Sequence, residues 1–329
     1  MVEETLWHPV AARTDVAASP VAARLLDREL VLWRAADGAV HAWADRCPHR
    51  GARLSMGRVQ ADRLECPYHG WQFAADGQCM QVPALPGFTP PAGHCAQVFE
   101  AREACGLVWV RLEPGCGPGV SALPAFAAEA DAHLRKLLCG PYDVATSAPR
   151  IVENFLDMAH FGFVHEGWLG ARDATAVDAY AVERTPTGLL ATQCKAWQPQ
   201  SSPQATGPAQ VEYTYEVTAP YTAVLTKLPD AAAVATAGYR ESIALFIAPL
   251  APEASRVWFR LAVADFASPD AKLRAFQHTI FTQDRPVLES QQPRRLPLDL
   301  RAELHTAADK SSSMYRRFLR ESGITFGVC

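Results

Sequence analysis

Two short clusters near the start of the chain, Cys47-Pro-His49 and Cys66-Pro-Tyr-His69, each pair one thiol with one imidazole, and sixteen residues separate them. Four ligands divided two and two between loops restrict the fold strongly, because both loops have to serve the same metal chemistry. A [2Fe–2S] centre of mixed ligation uses this set. Two Cys hold one iron and two neutral His replace Cys on the other, which raises the reduction potential above that of an all-thiolate cluster. The flanks Asp45-Arg-Cys-Pro-His-Arg-Gly51 and Glu65-Cys-Pro-Tyr-His-Gly-Trp71 supply Pro and Gly where the backbone has to curl. The competing readings are a Cys2His2 zinc site and two unrelated Cys/His pairs. Zinc fingers usually pair Cys with Cys and His with His, whereas each cluster here is mixed.

A second constellation lies in Glu153-Asn-Phe-Leu-Asp-Met-Ala-His-Phe-Gly-Phe-Val-His165. Asn154, Asp157 and His160 fall at i, i+3 and i+6, close to one side of a helix. His165 follows His160 by five residues with Gly162 between them, so the turn is expected to loosen there for both rings to meet one ion. Two His and one carboxylate leave open positions on a non-haem Fe(II), the facial triad of O2-activating enzymes. Packing of two imidazoles inside an apolar helix is the plain alternative, and it loses ground downstream of a redox cluster.

Together the motifs Cys-x-His-x16-Cys-x2-His and Asn-x2-Asp-x2-His-x4-His resemble the oxygenase component of the Rieske non-haem iron oxygenases over essentially the whole chain. Within that family the chain is most similar to the compact branch of vanillate and dicamba O-demethylases and methylxanthine N-demethylases, and Trp7-His-Pro-Val10, Cys66 to Gln72 and Gln283-Asp-Arg-Pro-Val-Leu-Glu-Ser-Gln-Gln-Pro293 look closest to the N-demethylase members. The resemblance implies a third iron ligand at Asp284, with Glu289 and the more distant Asp299 as competitors and a helix-capping role as the alternative. Many relatives carry Glu-Asp where this chain has Gln283-Asp284, so the ligand is kept and its acidic neighbour lost. The resemblance also implies a head-to-tail homotrimer in which Asp157 bridges His160 of its own subunit and His69 of the next, orienting metal-bound imidazoles. An unpaired carboxylate among apolar neighbours would be costly, which disfavours a merely structural Asp157.

The expected fold is α+β. A small all-β domain over 1–120 precedes an antiparallel sheet with helices over 121–329; the resemblance implies that the first is a Rieske domain and the second a helix-grip catalytic domain with the mononuclear iron beneath its sheet. Glu29–Arg34 and Val40–Trp43 flank an Ala36-Asp-Gly38 turn, a second Asp76-Gly77 turn follows Gly70–Phe73, Gly106–Leu112 is a strand, and Glu113–Gly119 closes the module with breakers. Val211–Val217, Ser242–Ala248 and Val257–Val263 read as strands, 270–292 and 301–322 as helices, and 196–210 as an irregular or mobile loop.

At 329 residues with net charge −4 and no basic tract, nothing in the chain suggests nucleic-acid binding. It has no signal-peptide pattern and no apolar run of membrane-spanning length. Seven of its nine Cys remain after Cys47 and Cys66; an odd remainder without a framework points to a reducing cytoplasm. No Gly-rich nucleotide fingerprint and no plant-type ferredoxin spacing occur, so electrons must come from a separate NAD(P)H-dependent reductase, with or without a ferredoxin. From Trp197 to Ala235 the charged residues are Glu212, Glu216, Lys227 and Asp230. A pocket lined by this stretch would be mostly neutral, suiting O2 and a methyl-bearing aromatic or heterocyclic substrate, with Phe155, Phe161 and Trp168 as wall or packing residues. The expected activity is monooxygenation, by hydroxylation or oxidative N- or O-demethylation. The alternatives are a cis-dihydroxylating ring dioxygenase and a non-catalytic Rieske electron carrier.

Overall fold

In the computed structural model the described residues are 1–114, 122–229 and 240–329, and they divide into two units, Met1–Leu123 and Pro124–Cys329. Cys116, Asp230, the breaker run 115–119 and the expected boundary at 120/121 lie outside the described residues.

The first unit is built from ten short strands: β1 (His8–Ala12), β2 (Val21–Leu25), β3 (Arg28–Arg34), β4 (Val40–Ala44), β5 (Arg58–Gln60), β6 (Arg63–Glu65), β7 (Gln72–Ala74), β8 (Cys79–Gln81), β9 (Val98–Ala104) and β10 (Leu107–Arg111). Six form a sheet in the order β1-β10-β9-β4-β3-β2, and β5 to β8 form a separate antiparallel meander. Two Asp-Gly turns make the hairpins. At Asp37-Gly38 and Asp76-Gly77 the carboxylate accepts from the backbone N–H two residues on, and Gly takes φ near +89° and +85°. Only Gly tolerates that backbone conformation without cost. Trp33, Trp43 and Phe73 are fully buried around Cys47 and Cys66. A buried Phe contributes about 1.5–3 kcal/mol, so this aromatic cluster is what holds the small meander beneath the cluster loops.

The second unit contains β11 (Arg135–Val144), α1 (Ala148–Phe155), α2 (Phe161–Val164), β12 (Ala181–Arg184), β13 (Leu189–Gln198), β14 (Ala209–Ala219), β15 (Thr222–Pro229), β16 (Glu241–Ala251), β17 (Ala254–Val263), α3 (Asp270–Ser290) and α4 (Lys310–Glu321). Its seven strands form one antiparallel sheet in the order β11-β17-β16-β15-β14-β13-β12. Helix α1 packs on β15, β16 and α3, while α3 packs on β11 and α4 on β12 and β13. The α+β architecture expected from the sequence is present, as an all-β first unit followed by a second unit with a large antiparallel sheet and helices. Among the described residues no helix is long and apolar enough to cross a membrane.

Three local expectations need correction. The helix carrying Asn154 stops at Phe155, so Asn154, Asp157 and His160 do not share one helical face. The break falls before His160 and not at Gly162, because Asp157 Oδ1 accepts from the Ala159 N–H at 2.9 Å and turns the chain out of the helix. The last helix begins at Lys310 and not near 301, since Thr306 and Asp309 cap a short turn there. The loop after β13 runs over 199–208 and is irregular, yet Ser201 and Ser202 within it are fully buried.

Candidate metal centres

The two Cys/His loops of the first unit have the same backbone scaffold. Cys47 N donates to Ala52 O at 2.8 Å and Gly51 N to Cys47 O at 2.9 Å. Cys66 N donates to Trp71 O at 2.8 Å and Gly70 N to Cys66 O at 3.1 Å. Gly51 and Gly70 close these turns at φ +73° and +69°, which explains the Gly seen four residues after each Cys. Both Cys are 2% exposed, while His49 is half-buried and His69 exposed, their ring centroids 4.7 Å apart. Trp71 stacks on His49 at 4.4 Å and Tyr68 on His69 at 3.8 Å, holding both imidazoles at the outer tip.

Burial, with the Cys66 sulfur alongside, pushes the Cys47 thiol up to about 12. Such sulfurs ionise at neutral pH only beside strong positive charge, which the ferric ions of a cluster provide. Desolvation together with the neighbouring His69 lowers the His49 imidazole, favouring the neutral form that ligates metal. Inner thiols and outer imidazoles therefore fit a [2Fe–2S] cluster with one iron on each side.

In the second unit His160, His165 and Asp284 come together from α2's two ends and the middle of α3. His160 Nε2 lies 3.2 Å from His165 Nε2, and Asp284 Oδ1 lies 3.4 Å and 3.2 Å from the two. Metal–ligand bonds of about 2.1 Å put adjacent ligand atoms about 3.0–3.4 Å apart, so these three atoms are spaced as one face of a coordination shell. The outer ring nitrogens are also held. Asp157 Oδ2 faces His160 Nδ1 at 2.9 Å, and Gln283 Oε1 faces His165 Nδ1 at 2.8 Å. Each bond fixes the tautomer that leaves Nε2 free for a metal. Burial opposes ionisation of Asp157, but the His160 hydrogen bond and the Ala159 and His160 backbone N–H groups outweigh it and hold its carboxyl below the usual range. Asn154 Nδ2 donates to Asp284 Oδ1 at 3.3 Å.

The local backbone explains this convergence. Gly162 and Gly170 cross so closely that a Cβ on Gly170 would sit 2.6 Å from Gly162 N, which pins the single turn of α2 and both its His. Asp284 is buried in mid-helix, so a capping role is excluded. Glu289 accepts from Ala145 N and from Arg285, each at 3.0 Å, and Asp299 accepts from Arg301. Neither belongs to the triad group. Gln283, which the sequence presented only as a lost acid, is the functional residue that reading missed. Its signal was its position next to Asp284.

The triad opens on a cavity between the sheet and helices α1 and α3. Phe155 and Phe161 line it, whereas Trp168 packs edge-on against Phe276 at 5.6 Å. Glu212 and Glu216 are exposed on the other side of β14. The cavity is less neutral than expected, because Lys227 and Glu241 also line it.

The chain matches the vanillate O-demethylase oxygenase C-terminal domain family over residues 144–323 and the Rieske [2Fe-2S] domain family over residues 6–98. It is 32% identical over 325 residues to methylxanthine N1-demethylase NdmA of Pseudomonas putida, covering 96% of this chain and 88% of that one. The structure of NdmA from strain CBB5 with caffeine superposes with a TM-score of 0.82 at 29% identity, over 97% of this chain and 91% of that one. A probable methylxanthine N7-demethylase, NdmC of a Pseudomonas strain, is 40% identical over 69% of this chain and 79% of its own. Oxidoreductase NdmD of Pseudomonas putida matches 36% of this chain at 39% identity, over 20% of its own length. With both domains matched and the donor sets fitting both metal groups, the chain belongs to the Rieske non-haem iron oxygenases, enzymes that use a [2Fe–2S] cluster and a mononuclear iron.

Proposed function

We propose that this chain is the oxygenase component of a monooxygenase that oxidatively demethylates a small aromatic or heterocyclic substrate at N or O. The observation that carries the reading is the triad of His160, His165 and Asp284 on the wall of a largely apolar cavity. Residues 1–120 hold the cluster through Cys47, His49, Cys66 and His69, and residues 121–329 hold Fe(II) through the triad.

Bound there, the iron supplies O2 activation at a site with open positions. The remaining work falls to the protein. Gln283 and Asp157 keep the two imidazoles in the ligating tautomer, and Asn154 steadies the Asp284 oxygen. The apolar walls exclude water and press the methyl group toward the triad, which makes binding energy available for orientation. The balance is one O2, two electrons and two protons. One oxygen atom enters the methyl C–H bond and the other leaves as water. The resulting hemiaminal or hemiacetal then releases formaldehyde and the N–H or O–H product.

Electrons come from a separate NAD(P)H-dependent reductase, with or without a ferredoxin, in the cytoplasm. In a head-to-tail homotrimer His69 of one subunit and His160 of the next would share Asp157, whose half-buried carboxylate leaves room for a second donor. Metal-loaded protein with a reductase, given methylated aromatics under ¹⁸O2, tests the proposal. Stoichiometric formaldehyde is expected, with one labelled oxygen in the carbinol or in formaldehyde trapped before it exchanges with water, and the second labelled atom leaving as water. A dihydrodiol carrying two labelled atoms would make it a ring dioxygenase.

A further inference from the structure

One pair of charges in the cavity has no part in the chemistry just described. Strand register places Tyr213 of β14 opposite Lys227 of β15, and Lys227 opposite Glu241 of β16. Three polar side chains therefore form a row across the sheet, next to an otherwise more apolar row of Tyr215, Leu225 and Ile243. All six line the cavity. Lys227 Nζ lies 3.1 Å from Glu241 Oε2, and each side chain is 5% exposed. The ammonium also stands 6.0 Å over the Phe276 ring.

Charges buried this deeply are costly unless their hydrogen bonding is complete, and apolar residues of similar size usually serve stability as well or better. Here it is incomplete. An ammonium carries three donors, and among the described residues Glu241 is the one charged partner of Lys227. Glu241 Oε2 has no hydrogen-bond partner among the described residues, so the 3.1 Å contact is ionic but poorly aligned. Donors and an acceptor held open on the wall of an apolar cavity are the groups by which pockets orient ligands.

The pair also selects the ligand's chemistry. An anion would meet the Glu241 carboxylate, and a cation the Lys227 ammonium. A neutral group with an acceptor beside a donor satisfies both at once, with its carbonyl on Lys227 and its N–H on Glu241. We infer that Lys227 and Glu241 form a specificity subsite that reads a neutral lactam or imide edge on a methylated heterocycle. The inference rests on the reading of this cavity as the site of oxidative demethylation. A substrate without the edge leaves buried polar groups unpaired, the kind of mismatch that discriminates strongly.

The test uses metal-loaded protein with a reductase and six compounds. 7-Methylxanthine and 1-methyluracil carry the edge. Caffeine and 1,3-dimethyluracil keep the carbonyls but lack the N–H. 4-Methoxybenzoate is an anion, and 4-methylanisole has no polar edge. The N–H compounds should exceed their fully methylated partners and the anion in kcat/KM by about tenfold or more. Glu241→Gln and Lys227→Met should each raise KM for them about tenfold with kcat nearly unchanged. The double exchange Lys227→Glu/Glu241→Lys preserves an ion pair but inverts donor and acceptor, so KM should stay high. Wild-type KM in the exchanged protein would assign the pair to the fold alone and overturn the inference. Formaldehyde from the anion or from 4-methylanisole but not from the heterocycles would overturn it too, while leaving demethylation intact. No formaldehyde from any compound would remove both.

Discussion

Replacing Gln283 with Leu keeps the side-chain volume and deletes one acceptor, the Oε1 that lies 2.8 Å from His165 Nδ1. His165 is 1% exposed, so water cannot readily take over the bond. A buried donor left without a partner costs about 1–3 kcal/mol. Without metal the ring can turn to recover some of that loss. With metal bound it cannot, because Nε2 is committed to the ion, and the cost therefore falls on the metal-bound state. At 1.4 kcal/mol per factor of ten, iron affinity should drop about 10–100-fold, the range typical for residues that hold a ligating imidazole from behind. Anaerobic competition between Fe(II)-loaded protein and a chelator measures this, with the cluster absorbance reporting that the protein stays folded. Gln283→Glu provides the contrast. It keeps the acceptor and adds charge, and charge-assisted bonds are roughly twice as strong as neutral ones, so its affinity should equal or exceed that of the native chain. Iron retention in Gln283→Leu equal to the native protein, or equal loss in both variants, would refute the assignment of Gln283 to His165.

His160→Ala and Asp284→Ala should each lower iron from about three to about two per chain with the cluster spectrum intact. Glu289→Ala should leave the count unchanged, because that carboxylate serves Ala145 and Arg285. Asp157→Asn retains an acceptor but loses its charge; cluster reduction should proceed normally while O2-driven reoxidation of the cluster slows in single-turnover stopped flow, and unaltered reoxidation would limit Asp157 to a structural part. Burial raises the Glu303 carboxyl, but Arg150 and Arg316 bring it down to about 2 from an ordinary value near 4.5. A depressed carboxyl stabilises the fold above its unfolded value and loses that contribution as pH falls through its folded one. The full shift is worth roughly 3 kcal/mol, and solvent screening of the partly exposed carboxyl reduces it, so Glu303→Gln should cost about 2 kcal/mol at pH 7 in urea unfolding, with the difference shrinking between pH 4.5 and 2.

Which parts of the site could be read from the sequence follows from how each is built. Cys47, His49, Cys66 and His69 sit on two loops of identical backbone hydrogen bonding, so spacing and the flanking Gly carried nearly all the information. His160 and His165 were equally legible, being fixed by one short turn between them. The helix before them was misread because i, i+3, i+6 spacing looks helical whether or not the helix continues. Asp157 decides the matter with two oxygens doing different things: beyond the helix end at Phe155, Oδ1 accepts from Ala159 N and turns the chain, while Oδ2 holds His160. A turn-forming role and an imidazole-orienting role coexist on one side chain. Residues brought in from far along the chain were less visible. Asp284 required family resemblance, and the service of Gln283 to His165 depends on a helix that passes the same imidazole with two successive residues. Lys227 could be counted as a charge but not aimed. Period-two alternation along β14 predicts that Tyr213 and Tyr215 share a face; only the pairing of β15 with β14 and β16 turns Lys227 onto that face and sets Glu241 beside it. Local chemistry thus names the metals, while the groups that tune them and meet the substrate are set by tertiary register, which no motif records.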